Sequence, residues 1–371
     1  MKDEKGLLPA VIERILVWYR GSRRSMPWRD DPSPYHVWLS EIMLQQTRIE
    51  AAAPYYRRFL GELPTVEALA ACGEEKLMKL WQGLGYYSRA RNLKKAAILT
   101  VEKYGGKLPD EASELRKLPG VGAYTAGAIA SIAFGKPEPA VDGNVMRVLS
   151  RLFASEEDVL DPRVRRDAEE ALRAVYPAGR DAADLTQGLM ELGEVICIPN
   201  GVPLCDRCPL RTLCEAEKRG AQNELPKRSP KKERRIEEKT VLILTDGRRF
   251  ALQKRAETGL LAGLWELPSF PGRLTAEETG RLLSEQGIAW DGIRPAGEAV
   301  HLFTHVEWRM TGYWIRLSGL PPAGLVFPDG ETLFRDYAVP SAFRRYLDFI
   351  RKEFNEYGFS PSGGKGGVDP T

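Results

Sequence analysis

Apolar residues recur every three to four positions through the first 220 residues. Val11, Ile12, Ile15, Leu16 and Tyr19 fall on one face of a predicted helix, and Tyr35, Val37, Leu39, Ile42 and Met43 define a second. The stretches Glu75–Trp81, Arg91–Tyr104 and Arg163–Val175 alternate charged and apolar residues with the same repeat. Prolines and glycines punctuate the pattern at Gly61–Pro64, Gly105–Pro109 and Pro177–Gly179. The pattern predicts an all-α domain over residues 7–220. From residue 240 the period shortens. Thr240–Thr245 and Arg248–Lys254 read as two strands around an Asp246-Gly247 hairpin turn, strand character returns at Trp308–Leu317, and an amphipathic helix closes the pattern near Ala342–Phe354. Residues 240–354 are therefore expected to form a second, α+β domain.

The join is compositionally distinct. Pro226–Lys239 holds seven basic and three acidic residues with almost nothing to bury, so residues 221–239 read as a basic, exposed linker. The Gly/Ser/Pro-rich end, within residues 355–371, reads as a disordered tail. A chain of 371 residues accommodates two such domains. Lys plus Arg number 54 and Asp plus Glu 51, so the global charge names no partner and any nucleic-acid contact must come from local patches. The longest uncharged stretch, Leu118–Gly135, is broken by Pro119 and four glycines and is no membrane span. The opening residues lack an apolar signal block, so a cytoplasmic location, nucleoid-associated in a bacterium, is expected.

Three features carry chemistry. The segment from Leu118 to Ile129 places Gly120 and Gly122 ahead of a small-residue helix, an arrangement that lets a phosphate approach free backbone amides at a helix start. A tight helix–helix turn is the other reading of the same glycines. Glu41 lies in an apolar run beside Ile42, Met43 and Leu44, so it is either on an exposed face or buried with a raised pKa; Asp142 precedes Gly143-Asn144 where an N-cap is also expected. Finally, Cys197, Cys205, Cys208 and Cys214 follow the spacing C-x7-C-x2-C-x5-C, which suits either an iron–sulfur cluster or zinc.

Several blocks in one order resemble the endonuclease III superfamily of helix-hairpin-helix DNA glycosylases, and within it the adenine DNA glycosylase (MutY) family. They are Pro27-Trp28-Arg29, Trp38–Thr47, Trp81–Arg89, the Leu118–Ile129 hairpin, Pro139–Arg147 and the cysteine group. The resemblance implies an all-α helix-hairpin-helix domain with an iron–sulfur loop, followed by a Nudix-like, MutT-related domain. It implies a monofunctional glycosylase that flips out and hydrolyses adenine opposite 8-oxoguanine or guanine in duplex DNA. Breaking that bond calls for one protonated and one ionised carboxyl. By resemblance Glu41 is the general acid and Asp142 stabilises the sugar cation, with Asn144 and Tyr124 in support. The family's strand-cleaving relatives carry a Schiff-base lysine where this chain has Tyr124.

By the same resemblance, Gln46 and Tyr86 fill the gap left by the flipped base. Gly120 and Gly122 grip phosphate, and Arg29 and Gln187 contact the DNA, Gln187 at the adenine edge. The four cysteines would hold a [4Fe–4S] cluster, although the family has six residues, not seven, between the first two. In the second domain, Gly259–Pro268 is the clearest match, while Arg281–Ile288 lacks most carboxylates a working Nudix hydrolase needs, so this domain is expected to bind rather than hydrolyse. Phe303-Thr304-His305 resembles the Phe-Ser-His loop that recognises 8-oxoguanine, with Thr in place of Ser. The alternatives are a pyrimidine-lesion glycosylase/lyase and a non-catalytic mismatch-binding protein; a nucleotide pyrophosphohydrolase is the weakest.

Overall fold

The computed structural model describes residue 3 and residues 6–230 and 233–356; the expected tail falls, past residue 356, outside the described residues. The chain divides into two compact units: Met1–Cys72 with Ser88–Lys231, and Gly73–Tyr87 with Lys232–Thr371.

The first unit is helical. Its principal helices span Leu8–Ser22, Pro34–Leu44, Ile49–Glu62, Ser88–Tyr104, Ala123–Phe134, Gly143–Leu152, Pro162–Arg173 and Arg180–Val195. Val11, Ile15 and Leu16 from the first of these pack with Val145, Leu149, Leu185 and Leu189 in one core. Burying each such side chain contributes roughly 1.5–3 kcal/mol. The Ala123–Phe134 helix runs through the interior, and its small residues are required: a Cβ on Gly127 would lie 2.3 Å from the Pro139 carbonyl oxygen. Among the described residues no helix is long and apolar enough to cross a membrane.

The second unit is built on a four-stranded sheet. Ser269–Pro271, Arg235–Thr245, Val306–Leu317 and Trp290–Leu302 lie side by side in that order. The two central strands run parallel, pairing Ile243 with Trp314, and each outer strand is antiparallel to its neighbour. Side chains alternate between faces: Val241 and Ile243 join Trp308, Phe343, Tyr346 and Ile350, whereas Leu242 and Leu244 join Leu283 and Ile315. Helices Arg344–Glu356 and Ala276–Glu285 contribute to these two cores, which explains the unbroken apolar run at Val241–Leu244.

Three expectations need correction. The run after Asp246-Gly247 does not return as a hairpin strand. Asp246 accepts from the amides of Arg248 and Arg249, the two runs meet only briefly, at the Thr245–Phe250 bridge and through the Ala251 amide on the Leu244 carbonyl, and Gln253–Lys254 pairs instead with Trp265–Glu266. Within the expected linker, Arg235–Lys239 is strand, paired in register with Val306–Met310. The Glu74–Trp81 helix belongs with the second unit, where Lys79 Nζ donates to the carbonyls of Phe334 and Tyr337, and Gln82 Nε2 to that of Val339.

Candidate functional site

A cleft of about 180 Å³ opens in the helical unit, and Glu41, Tyr124, Asp142, Asn144, Arg29 and Gln187 all line it. Glu41 comes from the Pro34–Leu44 helix, whose neighbouring residues are buried on nearly every side, so its carboxyl has little water around it. Tyr124 is the second residue of the Ala123–Phe134 helix, and its hydroxyl donates to Glu41 Oε2 at 2.7 Å. Asp142 is the N-cap of the Gly143–Leu152 helix: Oδ1 accepts from the Val145 amide at 2.8 Å and Oδ2 from Asn144 Nδ2 at 2.9 Å.

The two carboxyls sit in contrasting surroundings. Burial pushes the Glu41 carboxyl up to about 7; the Tyr124 hydrogen bond and Arg29 oppose this, while the charge of Asp142 adds to it. Burial raises Asp142 as well, but backbone and side-chain donors from Val145 and Asn144, with the charge of Arg147, pull the other way. Those donors serve an ionised carboxylate. The Tyr124 hydroxyl is held well above its ordinary value by burial and the two neighbouring acids, which keeps it a proton-bearing donor.

Arg29 does not project freely. It pairs with buried Glu191 at 2.5 Å and lies over the Tyr19 ring. Gln187 lines the cleft with its amide nitrogen 3.2 Å from the Ala183 carbonyl. Glu191 and Glu194 also line the cleft and were missed by sequence reasoning, although 187, 191 and 194 share one helical face. Arg147 was missed too. It donates to Asn144 Oδ1 at 2.8 Å, to the Gly193 carbonyl at 2.6 Å and to the Cys197 carbonyl at 2.7 Å, so it supports the residue that supports Asp142.

Beside the cleft, Gln46 is exposed in a turn with φ +59°. In the hairpin, Gly120 has φ +80°, and a Cβ there would meet Asn92 Cβ at 2.8 Å, so only glycine fits. Gly122 is the N-cap of the following helix, with open space above its Cα. In the second unit, Tyr86 is exposed with φ +46° and its hydroxyl lies 3.1 Å from Thr304 Oγ1. Phe303-Thr304-His305 is the tight turn between two sheet strands, closed by the Phe303 amide on the Val306 carbonyl. The Phe303 ring packs edge-on against Trp308 and His301, while Thr304 and His305 are exposed.

Cys197, Cys205, Cys208 and Cys214 line one small cleft of about 30 Å³. Among the described residues no three metal-ligating side chains are grouped around a single ion. Arg151 Nη1 donates to Cys197 Sγ at 3.2 Å. Burial pushes the Cys208 thiol up to about 12 and raises Cys205 and Cys214, so the protein alone does not favour thiolates there. The loop between Cys197 and Cys205 is closed by the Leu204 amide on the Ile196 carbonyl at 3.0 Å.

Residues 39–174 match the family of HhH-GPD superfamily base excision DNA repair proteins, and residues 240–349 match the NUDIX domain. A thermostable thymine-DNA glycosylase of known structure superposes with a TM-score of 0.52 at 29% identity, covering 57% of this chain and 96% of that one. Fold and family match together define a base-excision DNA glycosylase of the helix-hairpin-helix superfamily, with DNA as its partner and a Nudix-like domain appended. The adenine DNA glycosylase of Rattus norvegicus is 33% identical over 398 residues, spanning 91% of this chain and 77% of that protein. The Homo sapiens adenine DNA glycosylase is 34% identical over 395 residues, spanning 89% and 72%. The chain belongs to the adenine DNA glycosylase family, and membership implies an iron–sulfur cluster.

Proposed function

We propose that this enzyme extrudes adenine mispaired with 8-oxoguanine or guanine into the Glu41–Asp142 cleft and hydrolyses its N-glycosidic bond, leaving an abasic site. The observation that carries the reading is the buried Glu41 carboxyl, pushed up to about 7 and hydrogen-bonded to Tyr124 in the same cleft as Asp142. A carboxyl so poised still holds a proton near neutral pH and gives it to the departing purine. As the bond breaks, the sugar gains positive charge, and the Asp142 carboxylate stabilises it from a position fixed by Val145 and Asn144. Tyr124 holds Glu41 and, having no amine, forms no Schiff base, so the reaction ends at base release rather than strand cleavage.

The remaining residues serve recognition. Amides at the start of the Ala123–Phe134 helix, reached past Gly120 and Gly122, bind a backbone phosphate. Gln46 and Tyr86 fill the vacated stack, Gln187 and Arg29 face the extruded base, and the Phe303-Thr304-His305 turn reads the opposite base. Cys197, Cys205, Cys208 and Cys214 would hold a [4Fe–4S] cluster; four thiols around one cleft suit one iron each. Arg147, through the Cys197 carbonyl, and Arg151, through the Cys197 sulfur, hold this loop against their helix.

The test is single-turnover base release from duplexes with adenine opposite 8-oxoguanine, guanine or thymine. Release is expected from the first two and almost none from the third. Equal release from all three, or borohydride trapping of the enzyme on DNA, would overturn the reading.

A further inference from the structure

Arg89, buried at the start of the Ser88–Tyr104 helix, reaches the far end of the helix that carries Glu41. Its Nη1 donates to the carbonyls of Ile42 and Met43 at 2.9 Å each and of Gln45 at 2.5 Å, and Nη2 donates to Thr47 Oγ1 at 3.3 Å. A helix leaves its last carbonyls without intrahelical partners, and the negative end of its dipole favours a cation there. One planar guanidinium meets several of these needs at once.

The helix stops at Leu44, and two residues on the chain enters the left-handed region at Gln46, φ +59°. A residue with a Cβ is strained in this conformation, which persists only where neighbours enforce it. Arg89 grips the turn on both sides of Gln46, through the Gln45 carbonyl and the Thr47 hydroxyl. A second tie comes from Gln45 Nε2, which donates to buried Thr125 Oγ1 at 3.2 Å. Residues 41 and 45, one helical turn apart, are thus fastened to residues 124 and 125. The Gln46 side chain is left exposed, whereas Gln45 and Thr47 are half-buried.

We propose that Arg89 is a positioning residue for base extrusion: by binding the carbonyls that close the Glu41 helix, it holds Gln46 in the left-handed conformation that presents its amide to the DNA stack. The inference rests on the reading of Gln46 as the residue that fills the gap left by the flipped base.

A double-mutant cycle with two readouts tests it. Arg89→Gln, Arg89→Lys, Gln46→Ala and the two combinations are compared in single-turnover adenine release opposite 8-oxoguanine. Base extrusion is followed by the fluorescence of 2-aminopurine placed at the target position. Arg89→Gln is expected to slow release and lower the fluorescence gain by on the order of tenfold, as a misplaced contact remote from the chemistry does. Arg89→Lys recovers part of the loss. In the Gln46→Ala background, Arg89→Gln costs less than about twofold, because its route of action is already gone. The midpoint of the pH–rate profile stays where it is in the unmodified enzyme, since Glu41 keeps its surroundings. Losses that multiply across the cycle, or a moved pH midpoint, overturn the inference. Should Arg89→Gln lose its helical circular dichroism, the Arg89→Lys arm carries the same cycle. The underlying reading fails differently: the unmodified enzyme releases no adenine, or Gln46→Ala releases it at the full rate.

Discussion

The Tyr124 hydroxyl donates to Glu41 Oε2 across 2.7 Å, joining the second residue of the hairpin's helix to an acid 83 positions earlier in the chain. The hydrogen bond holds the carboxyl in place, and it favours the ionised form that burial resists.

Glu41→Gln should lower single-turnover base release by about 10²–10⁴-fold, the usual worth of a positioned general acid. DNA binding should persist, since the amide keeps the shape of the site. The unmodified enzyme should lose rate as pH rises through about 7, where Glu41 gives up its proton.

The same group leaves a mark on stability. Glu41 binds a proton more tightly folded than unfolded, so between its ordinary value of 4.5 and about 7 the folded state carries the extra proton and stability falls as pH rises. Thermal melting above pH 7 should find Glu41→Gln more stable than the unmodified protein, by at most about 3 kcal/mol at ~1.36 kcal/mol per pKa unit. An unchanged difference between pH 5 and pH 8 would contradict this.

Tyr124→Phe removes a contact that lowers the Glu41 pKa. The falling limb of the pH–rate profile should therefore move to higher pH, measured as a shifted midpoint in single-turnover release. Movement in the opposite direction would mean that the hydroxyl acts elsewhere in the reaction.

A Cβ at Gly193 would meet Asn144 Cβ at 2.6 Å and its backbone oxygen at 3.1 Å. Gly193→Ala should displace Asn144 from Asp142 and Arg147 together, costing roughly 1–3 kcal/mol in a melting experiment. Base release should fall further than stability explains, while affinity for product DNA changes little.

Cys205→Ser should reduce iron content from about four per chain and bleach the brown colour of a cysteine-ligated cluster, read by visible absorption and metal analysis. Full iron occupancy in the variant would remove Cys205 from the ligand set.

Much of this architecture was legible in the chain. The helix bearing Glu41 announces itself through apolar periodicity, and the hairpin through Gly120 and Gly122, although a tight helix–helix turn would use the same glycines. The second domain was harder. Strand Trp290–Leu302 went unread because it lies at the sheet edge, carries Gly292, Pro295 and Gly297, and slips register at two points, all of which blur a two-residue period. Arg235–Lys239 read as a tether because charged residues dominate it, yet backbone pairing with Val306–Met310 makes it strand. Within the site, the acids could be nominated but their meeting could not, since residues 41, 124 and 142 come together through the packing of separate helices. Arg89 and Arg147 were invisible for a related reason: a guanidinium that serves carbonyls leaves no pattern in side-chain chemistry.

Asp142 begins a helix and also faces the cleft, so a single carboxylate answers to two masters. A replacement without a capping oxygen would weaken the first turn by roughly 0.5–2 kcal/mol, and its lost activity could be mistaken for a folding defect. Asparagine keeps the cap and the shape of the side chain while erasing the charge, which makes it the cleanest lesion available. A residue without a side-chain acceptor would lose the cap and the charge together.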